Sequence, residues 1–442
     1  MFHDPIPDRR LRSDERGNVA VLFSLMMIPV FGIAGAAIDF SETARVKTRM
    51  QQAADAAALA AGTARDLSSS QRVDLAVRHY NENLGGDLAA GTALPEVSIG
   101  DSDVTISASR QVPTSFLSLV GIDEIPVEVT SAVTTAGKTL ELSVMLDVTG
   151  SMQGGKLDDM KDAANDLLGI VLPEGSTGTR VALVPFASYV NVGSVDRTLL
   201  TGRTDYPNNS CVLERKRGSR TSEDPPILGT NEFWIKTSSS ANCPPVSPVV
   251  PLTSNRQTLD SAITGLVADG ATAGHLGTAW AWYTISPQWA TRWPSGSAPV
   301  GYNQPDNIKA VVLMTDGNYT EYYRNPDQSQ ANCDGRNDCQ QSRLEAKAVC
   351  DAMKARLDAT GNEAIMIFTV GFGLDAEGTS NGDFARDTLR YCASYDPQDP
   401  ETDPALRRKL YFFPYSGADM RAAFQQIGQA LSAAKNSARL SR

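Results

Sequence analysis

The chain has 442 residues, 41% hydrophobic and 21% charged, which suits two or three domains and excludes a chain disordered throughout. Asp plus Glu number 51 against 40 Lys plus Arg, a net charge of −11, and no dense basic cluster offsets it; nucleic acid is a poor partner. With only three histidines, His3, His79 and His275, most His-based catalysis and His-rich zinc sites are excluded.

After a tail over residues 1–17, residues 18–38 (NVAVLFSLMMIPVFGIAGAAI) form a run of 21 without a charge. As a helix this run is about 31 Å long, enough for a bilayer core of roughly 30 Å. A cleaved signal peptide competes with a membrane anchor, because Ala34-Gly35-Ala36 fits an A-x-A cleavage site. The run is longer than a usual apolar region of roughly 7–15 residues, and it continues as Ala-rich helix to about residue 65, so an uncleaved anchor is the expectation. On that continuation Val46, Met50, Ala53, Ala57 and Ala61 share one apolar face. Basic residues flank the run on both sides, so charge alone orients it weakly. All six cysteines lie beyond residue 210, which places the bulk of the chain in an oxidising, extracytoplasmic compartment and the N-terminus in the cytoplasm. The expected location is the cytoplasmic (inner) membrane, crossed once.

Residues 66–137 read as a small α+β region. Residues 72–84 (RVDLAVRHYNENL) are amphipathic with helical spacing and end at Gly85-Gly86. Alternating runs at 96–99, 104–107 and 127–132 predict an antiparallel sheet with one buried face. A long helix followed by such a sheet is a pilin-like layout.

From 138 to 442 strands alternate with helices. Apolar runs at 140–146, 181–186, 308–314 and 364–370 read as strands, and the stripes Met160/Ala163/Ala164/Leu167/Leu168/Val171 and Met420/Phe424/Ile427/Leu431 as helices. Helices are also expected at 259–267, 344–357 and 384–392, with insertions around 203–255 and 318–341. The fold class is α/β, a doubly wound, mostly parallel sheet covered on both faces, and ligands of such sheets bind at the carboxyl ends of the strands.

At one such end stands Asp147-Val148-Thr149-Gly150-Ser151-Met152, a carboxylate and two hydroxyls on one turn between strand and helix. Taken alone, Thr149 or Ser151 would serve as a helix cap. Thr272 follows the helix at 259–267, and Asp316 ends the strand at 308–314. A set of oxygen donors suits a hard cation, Mg²⁺ first, with Mn²⁺ or Ca²⁺ as alternatives. These residues resemble the metal-ion-dependent adhesion site of the von Willebrand factor A domain, DxSxS followed by a Thr and then a strand-end Asp. The resemblance implies Asp147, Thr149, Ser151, Thr272 and Asp316 as metal ligands, with Thr149 keeping the hydroxyl of the first Ser. It also implies an open metal position that accepts an Asp or Glu carboxylate from a partner protein.

A second resemblance covers most of the chain. ERGNVAVLFSLMMIPVFGIAGAAIDFSE, MQQAADAAALAAG, VALVPFASYVNVG, AFQQIGQAL and ARLSR are similar to TadG-like Flp-pilus assembly proteins, which join a membrane helix to a C-terminal A domain. Pilin-type substrates of prepilin peptidase carry Glu five positions after the cleavage-site Gly. Counted from Gly17 that position is Leu22, so processing there is not expected.

Six cysteines allow 15 pairings. Those expected are Cys350–Cys392, between two helices on one sheet face, then Cys211–Cys243 and Cys333–Cys339, each bracketing an insertion or loop. No CxxC supports zinc. Gly378-Thr379-Ser380-Asn381-Gly382 matches GxSxG formally but reads as a polar loop without the preceding strand. His275, three residues after Thr272, either lies near the metal or serves as a local hydrogen-bonding residue. Tyr319, Tyr322 and Tyr323 either rim a binding surface or pack an insertion, and the acidic stretch 396–404 reads as solvated loop. The expected function is that of a non-enzymatic, membrane-anchored, metal-dependent protein-binding component of Flp pilus assembly or anchoring. Its partners would be pilus or secretion-machinery proteins. The alternatives are a metal-free envelope scaffold and a metal-assisted hydrolase, the latter disfavoured because no general base stands by the site.

Overall fold

The structure is a computed structural model. It describes residues 16–441 except 65–66, 90–91, 101–102, 135–137, 175, 177, 194, 196–199, 203–209, 217–218, 236–246, 326–327, 330–338, 375–379, 398, 402, 404–405 and 436–438. The chain divides into two units, residues 1–136 with 436–442, and residues 137–435.

The first unit is organised by α1 (Arg16–Thr63), one helix of 48 residues. Its apolar early part leaves large side chains such as Phe23, Met26, Ile28 and Phe31 exposed. Further on, the stripe expected from spacing is buried: Val46, Met50, Ala53, Ala57 and Ala61, widened by Ala54 and Ala58. Beyond Val46 and Met50 these buried stripe residues are all alanine, which lets other elements approach the helix backbone closely. A capping box of Ser68 and Gln71 starts α2 (Ser69–Leu84), and Gly85, at φ 87°, ends it before the short α3 (Gly86–Ala89). An antiparallel sheet follows, β1 (Glu96–Ile99), β2 (Asp103–Pro113) and β3 (Glu124–Thr134), paired in that order. Period-two burial turns Val104, Ile106, Val127, Val129 and Val133 into one apolar cluster with the helix stripe.

The second unit opens with β4 (Thr139–Asp147), α4 (Gly155–Val171) and β5 (Thr179–Phe186). A small antiparallel sheet follows, of β6 (Val190–Asn191), β7 (Cys211–Arg215) and β8 (Phe233–Ile235). Then come β9 (Val250–Thr253), α5 (Arg256–Thr264), α6 (Gly274–Ile285) and β10 (Asn307–Thr315). A hairpin of β11 (Tyr323–Asn325) and β12 (Gln328–Ser329) leads to α7 (Gln340–Lys354) and β13 (Ile365–Gly371). The unit closes with α8 (Ser380–Cys392), β14 (Tyr411–Phe412) and α9 (Gly417–Lys435).

The main sheet has the order β14-β13-β10-β4-β5-β9, with every pair parallel except β5–β9. Counted along the chain this is the doubly wound order 3-2-1-4-5-6, which creates a switch point at the carboxyl ends of β4 and its neighbours. The strands read as continuous apolar runs because both faces are covered. One face packs on α4, α5 and α9, and the other on α6 and α7.

Three features depart from the sequence reading. The span 203–255, read as an insertion, contains β7 and β8 and also contributes β9, the antiparallel edge of the main sheet. Four residues starting Val-Pro carry too little periodicity to announce a strand. The helix α6 (GHLGTAWAWYTI) was not expected, since all twelve residues are buried and a helix apolar all round shows no stripe. Gly277 lets it lie on the sheet, because a Cβ there would come within 2.7 Å of Phe186. Finally, the last residues, read as part of the large domain, form β15 (Arg439–Ser441), which pairs antiparallel with β3 in the first unit.

Cys350 and Cys392 form a disulfide between α7 and the end of α8, as expected. Cys211 and Cys339 are also disulfide-bonded, and their expected partners Cys243 and Cys333 lie outside the described residues. The packing of α1 gives a direct test. Ala57→Leu, fully buried, should overpack the helix and cost about 1–3 kcal/mol, whereas Ala44→Leu on the exposed face should cost almost nothing. Amide hydrogen exchange of β2 and β3 checks this; equal protection in the two variants would refute the assigned face.

Candidate metal centre

The switch point is built from the ends of two neighbouring central strands. β4 and β10 pair in parallel up to Met145 and Leu313, so their last residues, Asp147 and Thr315, emerge side by side. Asp147 is fully buried, and its two oxygens are used separately. Oδ1 accepts the Thr149 amide at 2.9 Å, which folds the turn back on the strand end. Oδ2 accepts the Thr315 hydroxyl at 2.7 Å. Beyond the turn, the Ser151 hydroxyl donates to Asp316 Oδ1 at 2.7 Å and lies 2.9 Å from the Thr149 hydroxyl.

Four of the five expected ligands, Asp147, Thr149, Ser151 and Asp316, therefore belong to one connected cluster of oxygens. Thr272 sits on the adjoining loop, which is sewn to the same turn by backbone bonds. The Asp269 amide donates to Val148 O at 2.8 Å and the Gly150 amide to Gly270 O at 2.9 Å. Gly270 makes that approach at φ 88°, where a side chain would be strained. Thr272 itself is buried and fixed by its amide, which donates to Thr320 Oγ1 at 3.1 Å.

One participant was missed. Lys156, in the first turn of α4, places its ammonium 2.8 Å from Asp316 Oδ2. A lysine one turn into a helix normally reads as solvated, and only the tertiary approach of β10 reveals its partner. Electrostatically the cluster is short of positive charge. Burial first, then the neighbouring Asp316 carboxylate, pushes the Asp147 carboxyl up to about 6, despite the hydrogen bonds that favour its ionised form.

The donor chemistry fits a hard cation, with two carboxylates and two or three hydroxyls and neither sulfur nor imidazole. Among the described residues no group of three or more His, Cys, Asp or Glu could hold a metal, so any ion here depends on the hydroxyls. His275 is not part of the cluster. It is buried between the Ser342 hydroxyl, 2.6 Å from Nδ1, and Glu214, 2.9 Å from Nε2, with no exposed nucleophile. Tyr319, Tyr322 and Tyr323 are buried too, which settles them as packing residues. Ser380 of the GxSxG match opens α8, while Gly378 and Thr379 lie outside the described residues. Of the stretch read as solvated, Asp396 is buried and bound by Arg408. A cleft of about 940 Å³ opens elsewhere, between β13, β14 and α9, and holds none of the five expected ligands.

The strand order and the strand-end cluster define a doubly wound α/β domain with its oxygen cluster at the switch point. Residues 17–65, a range that takes in all of α1 after Arg16, match the family model for Flp pilus-assembly TadE/G-like proteins. No curated protein matches the chain. Among solved structures, the von Willebrand factor domain of the type V pilus tip protein Mfa5 from Porphyromonas gingivalis is 13% identical, at TM-score 0.38, over 69% of this chain and 99% of that one. A von Willebrand factor type A protein from Catenulispora acidiphila is 13% identical, at TM-score 0.32, over 77% and 50%. The pilus adhesin SpaC from Lactobacillus rhamnosus GG is 10% identical, at TM-score 0.36, over 76% and 34%, so this chain spans about a third of its length.

A pH test isolates the Asp147 carboxyl. Its folded pKa lies above the ordinary 3.8, so the folded state holds the proton more tightly and stability falls as pH rises from about 4 through about 6. The ionised form is therefore destabilising at pH 7 without a cation. In chelator, Asp147→Asn should remove most of this slope and be at least as stable as the parent at pH 7.5. Parallel urea-stability curves for the two proteins between pH 4 and 7.5 would contradict the assignment.

Proposed function

We propose that the chain is a membrane-anchored protein-binding component of Flp pilus assembly or anchoring, and that its A-type domain binds a partner's carboxylate through a divalent cation. The observation that carries this is the convergence of Asp147, Thr149, Ser151 and Asp316 on one switch point, with Thr272 on the loop beside them. These residues would hold Mg²⁺, or Mn²⁺ or Ca²⁺, and the ion would act as an electrophile toward an Asp or Glu of the partner. The chain's own part would be to keep the oxygens aligned for the ion. Asp147 would supply charge, while the hydroxyls would add ligands without adding repulsion. The match of residues 17–65 to a pilus-assembly family supports the biological setting. The helix from Leu22, long and apolar enough to cross a membrane, supports the anchor. The partners are pilus or secretion-machinery proteins, and the binding domain faces the extracytoplasmic side of the inner membrane.

One observation favours a second reading, the metal-free scaffold. Lys156 already contributes a cation to Asp316, and a tethered ammonium can stand where a free ion would otherwise be required. Lys156→Met separates the two readings. If the site binds metal, removing the competing charge should tighten Mg²⁺ about tenfold in calorimetric titration, with the lysine's partial exposure limiting the gain. If the ammonium is the resident cation, the variant should lose stability and show no heat of Mg²⁺ binding.

The partner is addressed by pull-down from solubilised membranes. The parent chain should retain specific proteins in Mg²⁺ and release them in chelator, and Asp147→Ala should retain none while keeping its fold. Retention by Asp147→Ala equal to the parent would refute metal-dependent binding.

A further inference from the structure

The first unit carries an apolar tip whose place in the fold identifies what covers it. Between β2 and β3 the chain runs Thr114-Ser-Phe-Leu-Ser-Leu-Val-Gly-Ile122, nine residues without a charge, before Asp123 and Glu124 begin the return strand. The neck is closed by the Thr114 amide and hydroxyl, which donate to Asp123 O at 2.9 and 3.1 Å. The tip is a short 3₁₀ turn, Leu117–Val120, ended by Gly121 at φ 85°. At it Leu119 is 83% exposed and Val120 74%, with Phe116 and Ile122 also exposed. Isolated apolar residues on a surface need no explanation, but four on one nine-residue tip form a patch.

This tip is pinned to α1 at one level. The Asp39 carboxylate accepts three consecutive tip amides, from Ser115, Phe116 and Leu117, at 3.0, 2.9 and 2.8 Å. One turn earlier, the Phe116 ring lies directly on Gly35, where a Cβ would come within 2.5 Å of it. Asp39 is the first charge after the uncharged run of residues 18–38, and Gly35 lies within that run. Phe116 therefore touches the helix about 5 Å inside the apolar end of the run. The neighbouring helix surface, including Phe31, Ile33, Ile38 and Phe40, is likewise exposed and apolar.

We infer that the β2–β3 tip is a second membrane contact, inserting Leu119 and Val120 at the boundary between headgroups and acyl chains beside the spanning helix. The inference rests on the reading of α1 as a membrane span. An apolar surface continuous with that span, at its end and held there by three hydrogen bonds, enters lipid whenever the helix does. Insertion to about 5–10 Å is the depth usual for interfacial segments. The device gives a single helix a second point of attachment and so restrains its tilt and rotation relative to the first unit's sheet.

The test places an NBD fluorophore on the full chain, reconstituted in phosphatidylcholine vesicles, at Leu119→Cys, at Ile28→Cys within the span, or at Ser70→Cys, exposed at the start of α2. Lipids brominated near the headgroup end of the acyl chain serve as quenchers, and the unsubstituted chain carried through the labelling is the blank. The expected result is at least a twofold loss of emission at position 119, quenching at position 28 that is stronger with deeply brominated lipid, and none at position 70. Quenching at 28 without quenching at 119 overturns the tip contact and leaves the anchor standing. That holds also if 119 is shifted to the blue by a second copy or another protein. An unquenched position 28 overturns the anchor reading and the tip contact with it.

Discussion

Two carboxylates forced together at the carboxyl ends of adjacent parallel strands are the constraint around which the second unit is arranged. Asp147 is fully buried and hydrogen-bonded at both oxygens, and Asp316 meets the same turn through Ser151. Burying one charge is expensive, and burying it against a like charge is more so, which pushes the Asp147 carboxyl up to about 6. The same strand shows the ordinary solution at its other end. There the buried Glu141 is met by Lys309, which is also buried, and by Arg180. At the switch point, among the described residues, the cation that meets the cluster is Lys156, at its rim and partly exposed. The fold thus neutralises one end of β4 internally and leaves the other partly open to a positive charge from outside.

The arrangement also explains the neighbouring backbone. The loop carrying Thr272 crosses the turn through Gly270, and α6 begins immediately after it. Gly274 allows that helix to start against Tyr319, since a Cβ would fall within 2.2 Å of the ring. The tyrosines after Asp316 are therefore spent in holding the loops in place and offer no binding surface. His275, near the site in sequence, is turned away into a separate buried network with Glu214 and Ser342.

Much of this was legible in the sequence. Strands buried on both faces announce themselves as continuous apolar runs, and the amphipathic helices α2, α4 and α9 carry clear stripes. The site residues Asp147, Thr149, Ser151 and Asp316 could be found because strand ends are easily located once the strands are. What escaped was whatever depends on tertiary contact. The helix α6 has no polar face to give a period, β9 is too short, and β15 pairs with a strand some 300 residues away. Lys156 looks like any surface lysine until β10 is placed beside α4. The exposed tip at Leu119 and Val120 is a short apolar run that no local rule distinguishes from core.

In the first unit the long helix serves two environments with one geometry. Its early part exposes large apolar groups, its later part buries small ones, and Asp39 marks the change with three amides from the sheet's tip. The account nevertheless stands or falls on the charge imbalance at Asp147 and Asp316. Its most direct test is electron paramagnetic resonance of Mn²⁺ titrated into the purified full chain, counting bound ions per chain. The account predicts one ion bound by the parent, displaced by excess Mg²⁺, and none bound by Asp147→Ala. No bound Mn²⁺ in the parent, or the same number in both proteins, would contradict it.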